Sequence, residues 1–178
     1  FILLGLLCEL VSDVEFPKLV QESVFDPAGM TDSGYFSTDQ LPKNTAYAYI
    51  QNEDGSWRTN FFTVPIIGAP DGGAYTTGPD MMRFWDALFS HKLISPAWTT
   101  EMLNPQIDTG WDAPFTHYGY GVWLEVENDA VMKPFVEGYD PGVALRSEVL
   151  HNKDLTVTLL GNTSRALWSL IPKIEEVL

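Results

Sequence analysis

The hydrophobic period of this chain changes once, and that change constrains the fold more than any other feature. Through the first hundred residues the clearest apolar patterns recur every three or four positions. From Tyr118 the period drops to two: "YGYGVWLEVE", "VALRSEVL" and "LTVTLLGN" alternate or run apolar and β-branched, as half-buried or fully buried strands do. "HNKD" at 151–154 makes a hairpin of the last two strands. Ser164 to Leu178 closes as a helix on Leu167, Leu170, Ile171, Ile174 and Leu178, with Pro172 a point where it kinks. Helices, then antiparallel strands, then a terminal helix define an α+β layer architecture. The 178 residues show no internal repeat and no linker, so one domain is expected over residues 1–178.

The local signals sharpen that outline. In "TTGPDMMRFWDALFSHKL", Thr77 and Asp80 form a Thr-x-x-Asp cap, with Pro79 in the first turn where its missing N–H costs nothing. Met81, Phe84, Trp85, Leu88 and Phe89 then fall on one apolar stripe, the pattern of a core face. "SPAWTTEML" starts another helix at Ser95, with Pro96 at its first position. Glu15 to Phe25 reads as a helix broken by Asp26-Pro27 and Gly29. Ala46–Gln51 and Phe61–Val64 read as short strands, with the turn "EDGSW" between them.

The opening "FILLGLLCELV" has no methionine, basic flank or capping residue. A membrane span needs about 20 apolar residues, but Glu9 interrupts this run and Ser12-Asp13 end it. A buried helix entered partway is expected, in the later part of something longer, with Cys8 a buried small hydrophobe. As the only cysteine, Cys8 leaves the redox compartment open.

With 24 acidic against 10 basic residues the net charge is −14, which argues against nucleic-acid binding and docking to an anionic membrane. His91, His117 and His151 are far apart and have no neighbouring ligand at metal-site spacing, so no metal or cofactor is implied. "DTG" at Asp108–Gly110 matches the aspartic-protease tripeptide. It occurs once, whereas that chemistry needs two carboxylates, so a turn is the reading. "NTS" at Asn162 fits a glycosylation sequon, a motif common by chance. "HYG" at His117–Gly119 reads as a surface histidine entering a strand. No serine has lysine three residues later, and no Tyr-x-Asn or Ser-x-Asn triplet occurs, so no catalytic residue is assigned in this chain.

Taken in order, four phrases resemble the later half of the serine β-lactamase and penicillin-binding-protein-like family, in its class C-like group of D-alanyl-D-alanine carboxypeptidases and esterases. "FILLGLLCELVSDVEFPKLVQESVFDPAGMTDSGYF" is similar to the helix pair after that family's Tyr-x-Asn motif. "GGAYTTGPDMMRFWDALFSHKLISP" is similar to its G-G-x-x-S-T-x-x-D-M-x-R-F segment. "YGYGVWLE" and "KDLTVTLLGNTSRALWSLIPKIEEVL" are similar to its closing strands and last helix. The resemblance implies a β-lactamase/transpeptidase-like fold, here an incomplete C-terminal part: an antiparallel sheet packed with helices. Its Ser-x-x-Lys and Tyr-x-Asn elements are expected upstream of Phe1.

The family's third element, His-x-Gly or Lys-Thr-Gly, aligns with "FVEGYDPGV" through the shared Asp-Pro-Gly. This sets Val136, Glu137 and Gly138 as the substrate-binding residues, at an edge-strand end and turn. Val136 cannot donate a hydrogen bond, and Glu137 is expected to repel a substrate carboxylate, which turns the expectation away from penicillin. The implied activity is hydrolysis of an ester or amide through an acyl-serine, with cell-wall peptides or esters as substrates and the fragment alone inactive. The implied partners are a small-molecule or peptide substrate and the missing N-terminal half of the fold. A non-catalytic module binding peptide or glycan on the same fold is the alternative, and an interaction protein using a Trp-rich surface a third. The resemblance suggests a bacterial source and leaves secretion, cell envelope and cytoplasm open.

Overall fold

Six strands form one antiparallel meander in sequence order: β3 (Ile107–Asp108), β4 (His117–Tyr118), β5 (Trp123–Glu127), β6 (Ala130–Asp140), β7 (Val143–Leu150) and β8 (Leu155–Gly161). The computed structural model describes residues 1–112, 116–151, 153–163 and 167–178. Before the sheet come α1 (Ile2–Ser12), α2 (Phe16–Val20), α3 (Asp26–Ala28), a small hairpin of β1 (Tyr49–Gln51) and β2 (Trp57–Thr59), α4 (Gly78–Phe89) and α5 (Pro96–Met102). A short α6 (Ile171–Glu175) closes the chain.

The period-two alternation sorts the sheet into two faces. On one face α4 lays its stripe, with Trp85 and Leu88 buried against Val122, Leu124 and Val149. Met81 turns to Phe25 and Met30, which brings α3 under the same helix. The indole N–H of Trp85 donates to Ser147 on β7 at 2.9 Å, and Ser147 in turn bonds Thr158 on β8 at 2.8 Å. On the other face lies a layer of charged side chains beneath α6, whose Ile171 and Ile174 face Arg146, Glu148, Val157 and Leu159. Lys133 joins Glu125 on β5 at 3.0 Å and Glu175 on α6, which ties the last helix to the sheet. Burial pulls the Lys133 ammonium down, but the bonds to Glu175 and Glu125 and the negative charges of Glu148 and Glu125 together outweigh it and hold it above its ordinary value.

Both capped helices form as the sequence indicates. Thr77 accepts from the Asp80 amide at 3.2 Å, and Ser95 accepts from the Trp98 amide at 3.4 Å. The strand pair β7–β8 is the hairpin expected over 151–154, of which residue 152 lies outside the described set. "EDGSW" turns between β1 and β2, with Gly55 at φ 84.

Four expectations are corrected, and one unassigned stretch proves to be strand. Asp26-Pro27 does not break the second helix: a π-helical turn, Gln21–Phe25, carries the backbone onward so that Pro27 starts α3, and the run ends at Gly29. Phe61–Val64 is turn rather than strand; the partner of β1 is Trp57–Thr59, so Asn60 and Thr63 close the loop instead. The terminal helix is confined to Ile171–Glu175 with Pro172 in its first turn, so the proline begins the helix rather than kinking it; residues 164–166, which include the sequon's Ser164, lie outside the described set. The stretch 130–134 is the first half of β6, a strand that the sequence reading left unassigned.

The fourth correction concerns α1. Gly5 is its one buried residue, pressed so closely on Pro70 that a Cβ there would lie 2.0 Å from the ring. Phe1, Leu3, Leu4, Leu6, Leu7, Leu10 and Val11 are each more than half exposed, and Cys8 is exposed with them. Among the described residues the start of α2 and the segment Gly68 to Pro70 meet one side of this helix and leave its apolar side chains open, so the expected burial of α1 and of Cys8 is absent. Among the described residues no helix is long and apolar enough to cross a membrane.

Candidate active site

Strand β6 is interior along its first half and open along its second. Residues 130–135 pair with β5, ending at Trp123 opposite Phe135. Pairing with β7 runs from Phe135 opposite Glu148 to Asp140 opposite Val143. Beyond Phe135, no strand among the described residues pairs with the other side of β6. The edge expected from the sequence is therefore real only from Val136 onward.

The turn fixes which backbone groups face that open side. Asp140 and Val143 close a two-residue connection, Pro141-Gly142, in which Gly142 adopts φ 84. The closing pair of such a hairpin exchanges its hydrogen bonds, and bonding then alternates along the ladder. Asp140, Gly138 and Val136 thus aim their backbone groups at β7. Tyr139 and Glu137 aim theirs outward, leaving two N–H and two C=O groups on the open edge. Gly142 has a second constraint, since a Cβ there would lie 3.0 Å from the Tyr49 backbone. The same Tyr49 donates its N–H to the Asn162 carbonyl at 3.0 Å. The β1–β2 hairpin is thereby seated on the ends of β7 and β8.

The three substrate-binding candidates occupy different places. Val136 turns to the α4 face and packs against both apolar clusters. Gly138 is exposed, and a Cβ on it would meet nothing within 4 Å. Glu137 turns to the α6 face, where its Oε2 accepts from Nη1 of Arg146 at 3.0 Å. Its charge is thus paired with Arg146 on the α6 face of the sheet.

Arg146 was not singled out by its sequence. It is buried, donates from Nε to Glu148 at 2.8 Å, and lies 3.8 Å over the Phe135 ring. A signal existed: an arginine and a glutamate two positions apart share the face of β7 that otherwise carries Ala144 and Leu150. Tyr139, 62% exposed, was also passed over, because what it offers is backbone rather than side chain.

Burial pushes the Glu137 carboxyl above its ordinary value, and the Arg146 guanidinium opposes that rise without cancelling it. A carboxyl raised in the folded state contributes most below its unfolded value, about pH 4, and loses that contribution as pH rises through the folded value. Glu137→Gln keeps a polar partner for Arg146 and removes the titration. Wild-type stability relative to Glu137→Gln is therefore expected to fall as pH rises above about 4. Urea midpoints across that rise check it; a wild type that gains on the variant as pH rises contradicts it.

Of the other motifs, Asp108-Thr109-Gly110 is a turn: the Asp108 side chain accepts the Gly110 amide at 2.8 Å, and Gly110 has φ 67. His117 lies on β4, opposite Asp108 and Leu124. Among the described residues no three His, Cys, Asp or Glu side chains gather to hold a metal ion.

An antiparallel sheet packed with helices makes this an α+β protein. The β-lactamase family's sequence model matches residues 1–174, and the chain belongs to that family. It is 43% identical to a penicillin-binding protein from Bacillus halodurans, with a TM-score of 0.94 over all of this chain and 54% of that one. It also resembles the octameric penicillin-binding protein homologue from Pyrococcus abyssi, at 23% identity and TM-score 0.81 over 94% of this chain and 38% of that one. A D-amino acid amidase from Ochrobactrum anthropi shares the fold at 18% identity and TM-score 0.67, over 90% and 48%. The chain thus spans about half or less of the length of these proteins.

Proposed function

We propose that this chain is the later part of a serine hydrolase that cleaves esters or amides whose acyl group lacks an α-carboxylate. The observation that carries the reading is the open half of β6, with the outward N–H groups of Glu137 and Tyr139 beside an apolar Val136. In the reaction a serine Oγ supplied by the preceding part of the fold attacks the substrate carbonyl carbon while a base takes its proton. The carbonyl oxygen becomes an oxyanion, which an outward β6 N–H stabilises. The alcohol or amine leaves with a proton, and water releases the acyl group from serine. Without an identifiable nucleophile–base pair, this chain alone is silent.

The exposed apolar surface of α1 supports the same reading, since a patch of that size marks a surface that something covers. The family membership and the likeness to an amidase of D-amino acids favour amides of D-configured residues among the substrates. A second reading, a binder of peptides or glycans without turnover, is favoured by Val136 and Glu137, neither of which offers its side chain as a free donor. One experiment separates the two. The intact protein is expected to form a covalent adduct with a serine-directed fluorophosphonate and to react weakly with a fluorescent penicillin. Absence of any fluorophosphonate adduct on the folded, intact protein overturns the hydrolase reading and favours the binder.

A further inference from the structure

We infer that the Arg146–Glu137 pair is the positioning device of the open half of β6, and that it acts on the backbone edge without touching substrate. The inference deepens the hydrolase reading and rests on it for its catalytic consequence.

A strand end paired on one side only is held by half the usual ladder, and such ends open locally at low free energy. The outward groups of Glu137 and Tyr139 are useful to a substrate only if this end keeps its direction. Glu137 and Arg146 are direct cross-strand partners at a position where the ladder makes no hydrogen bonds, and side chains approach most closely at such positions.

The guanidinium does more than pair with one carboxylate. Its Nη1 bonds Glu137, its Nε bonds Glu148, and its plane lies over the ring of Phe135. One buried side chain on β7 thus grips β6 at two alternate residues on one face, 135 and 137. These two straddle the point where β5 stops pairing. Arginine suits this role because its planar, fixed fork serves a carboxylate and a ring face together, which a lysine ammonium does not.

The chemistry also explains why a charged pair stands in a sheet interior. Buried ion pairs add little net stability over apolar packing, and their best-attested use is to fix one geometry among several. Here the geometry fixed is that of the strand end from Phe135 to Gly138, the segment that carries the candidate binding residues.

The test uses the intact protein and two readouts. Glu137→Ala removes the outer of the two holds on β6 while leaving Arg146 on Glu148 and over Phe135, so the sheet is expected to fold. Native-state hydrogen exchange should then speed up about tenfold or more at the Val136 and Gly138 amides, with β8 amides near wild type. Glu137→Gln should restore protection, and Arg146→Lys should lose it. In the second readout, Glu137→Ala should lower kcat for ester hydrolysis with KM little changed, and Glu137→Gln should recover it. Unchanged protection at Val136 and Gly138 overturns the inference, as does a uniform loss that includes β8. If the wild type hydrolyses no ester, the hydrolase reading fails while the exchange experiment still decides the positioning role.

Discussion

Replacing Asp80 with alanine is expected to lower the stability of the intact protein by about 2–4 kcal/mol, because it removes a buried carboxylate that holds several hydrogen bonds. Asp80 has no exposed surface, although it sits in the first turn of α4. Its Oδ2 accepts the Asp32 amide at 2.9 Å and the Ser33 hydroxyl at 2.6 Å, and its Oδ1 accepts from Arg83 at 2.5 Å. Ser33 is also joined to Thr76 at 2.8 Å. The carboxylate therefore binds the segment after α3 to the start of α4, and through Met81 and Met30 it sets how the second apolar cluster closes. Alanine leaves the Asp32 amide without its acceptor and the buried Ser33 with one bond fewer, while the Arg83 charge, half exposed, returns to water. Hydrogen bonds to ionised groups contribute about 1.5–3 kcal/mol each, and Asp80→Asn keeps part of them, so its loss should be about half as large. Urea unfolding of the two variants checks the order; a loss below about 1 kcal/mol for alanine contradicts the network's role.

Asp80 also shows where the sequence was readable and where it was not. The Thr-x-x-Asp spacing correctly placed the start of α4, since Thr77 does accept the Asp80 amide. The spacing did not reveal that the carboxylate turns away from the cap to residues 47 and 48 positions earlier. The same division runs through the sheet. Alternation in "VALRSEVL" and "LTVTLLGN" was enough for β7 and β8, because each residue's face follows from its neighbours two positions away. It failed for the first half of β6, where "DAVMKPF" puts Lys133 and Pro134 inside a strand. Lys133 is tolerable there only because Glu125 and Glu175 reach it from two other elements. A local cue to that hairpin was nevertheless present. Asn128 and Asp129 both adopt positive φ, 50 and 64, between Glu127 and Ala130, the two-residue turn that such residue types favour.

The candidate site divides in the same way. The phrase "FVEGYDPGV" correctly placed a turn after the strand end, because Asp-Pro-Gly dictates a turn that any pairing must respect. What alternation cannot say is which backbone groups face a partner strand and which face open space. That depends on the register with β7 and on β5 stopping at Trp123, both set by tertiary pairing. For α1 the local pattern was a sound guide to helix, yet burial depends on what packs around it, and the start of α2 and the segment Gly68 to Pro70 meet just one side of it.

The second large effect is expected at Tyr139. Tyr139→Pro should slow acylation of the intact protein by about 100-fold, the loss typical of one oxyanion donor. The substitution is selective because the Tyr139 N–H points to the open edge, so proline removes no bond to β7, and edge strands tolerate proline in that orientation. The Tyr139 side chain is 62% exposed, so little packing is lost with it. An exposed position elsewhere on the sheet, such as Leu160 on the outermost strand β8, serves as the control for a surface change.

The most direct measurement is the second-order rate of serine acylation by an activated ester, compared between wild type and Tyr139→Pro at matched folded fraction. A fall of about 100-fold with unfolding midpoints close together is the result expected of a β6 edge that binds the reacting carbonyl. An unchanged rate in a folded Tyr139→Pro protein contradicts that role and removes the open edge of β6 from the active site.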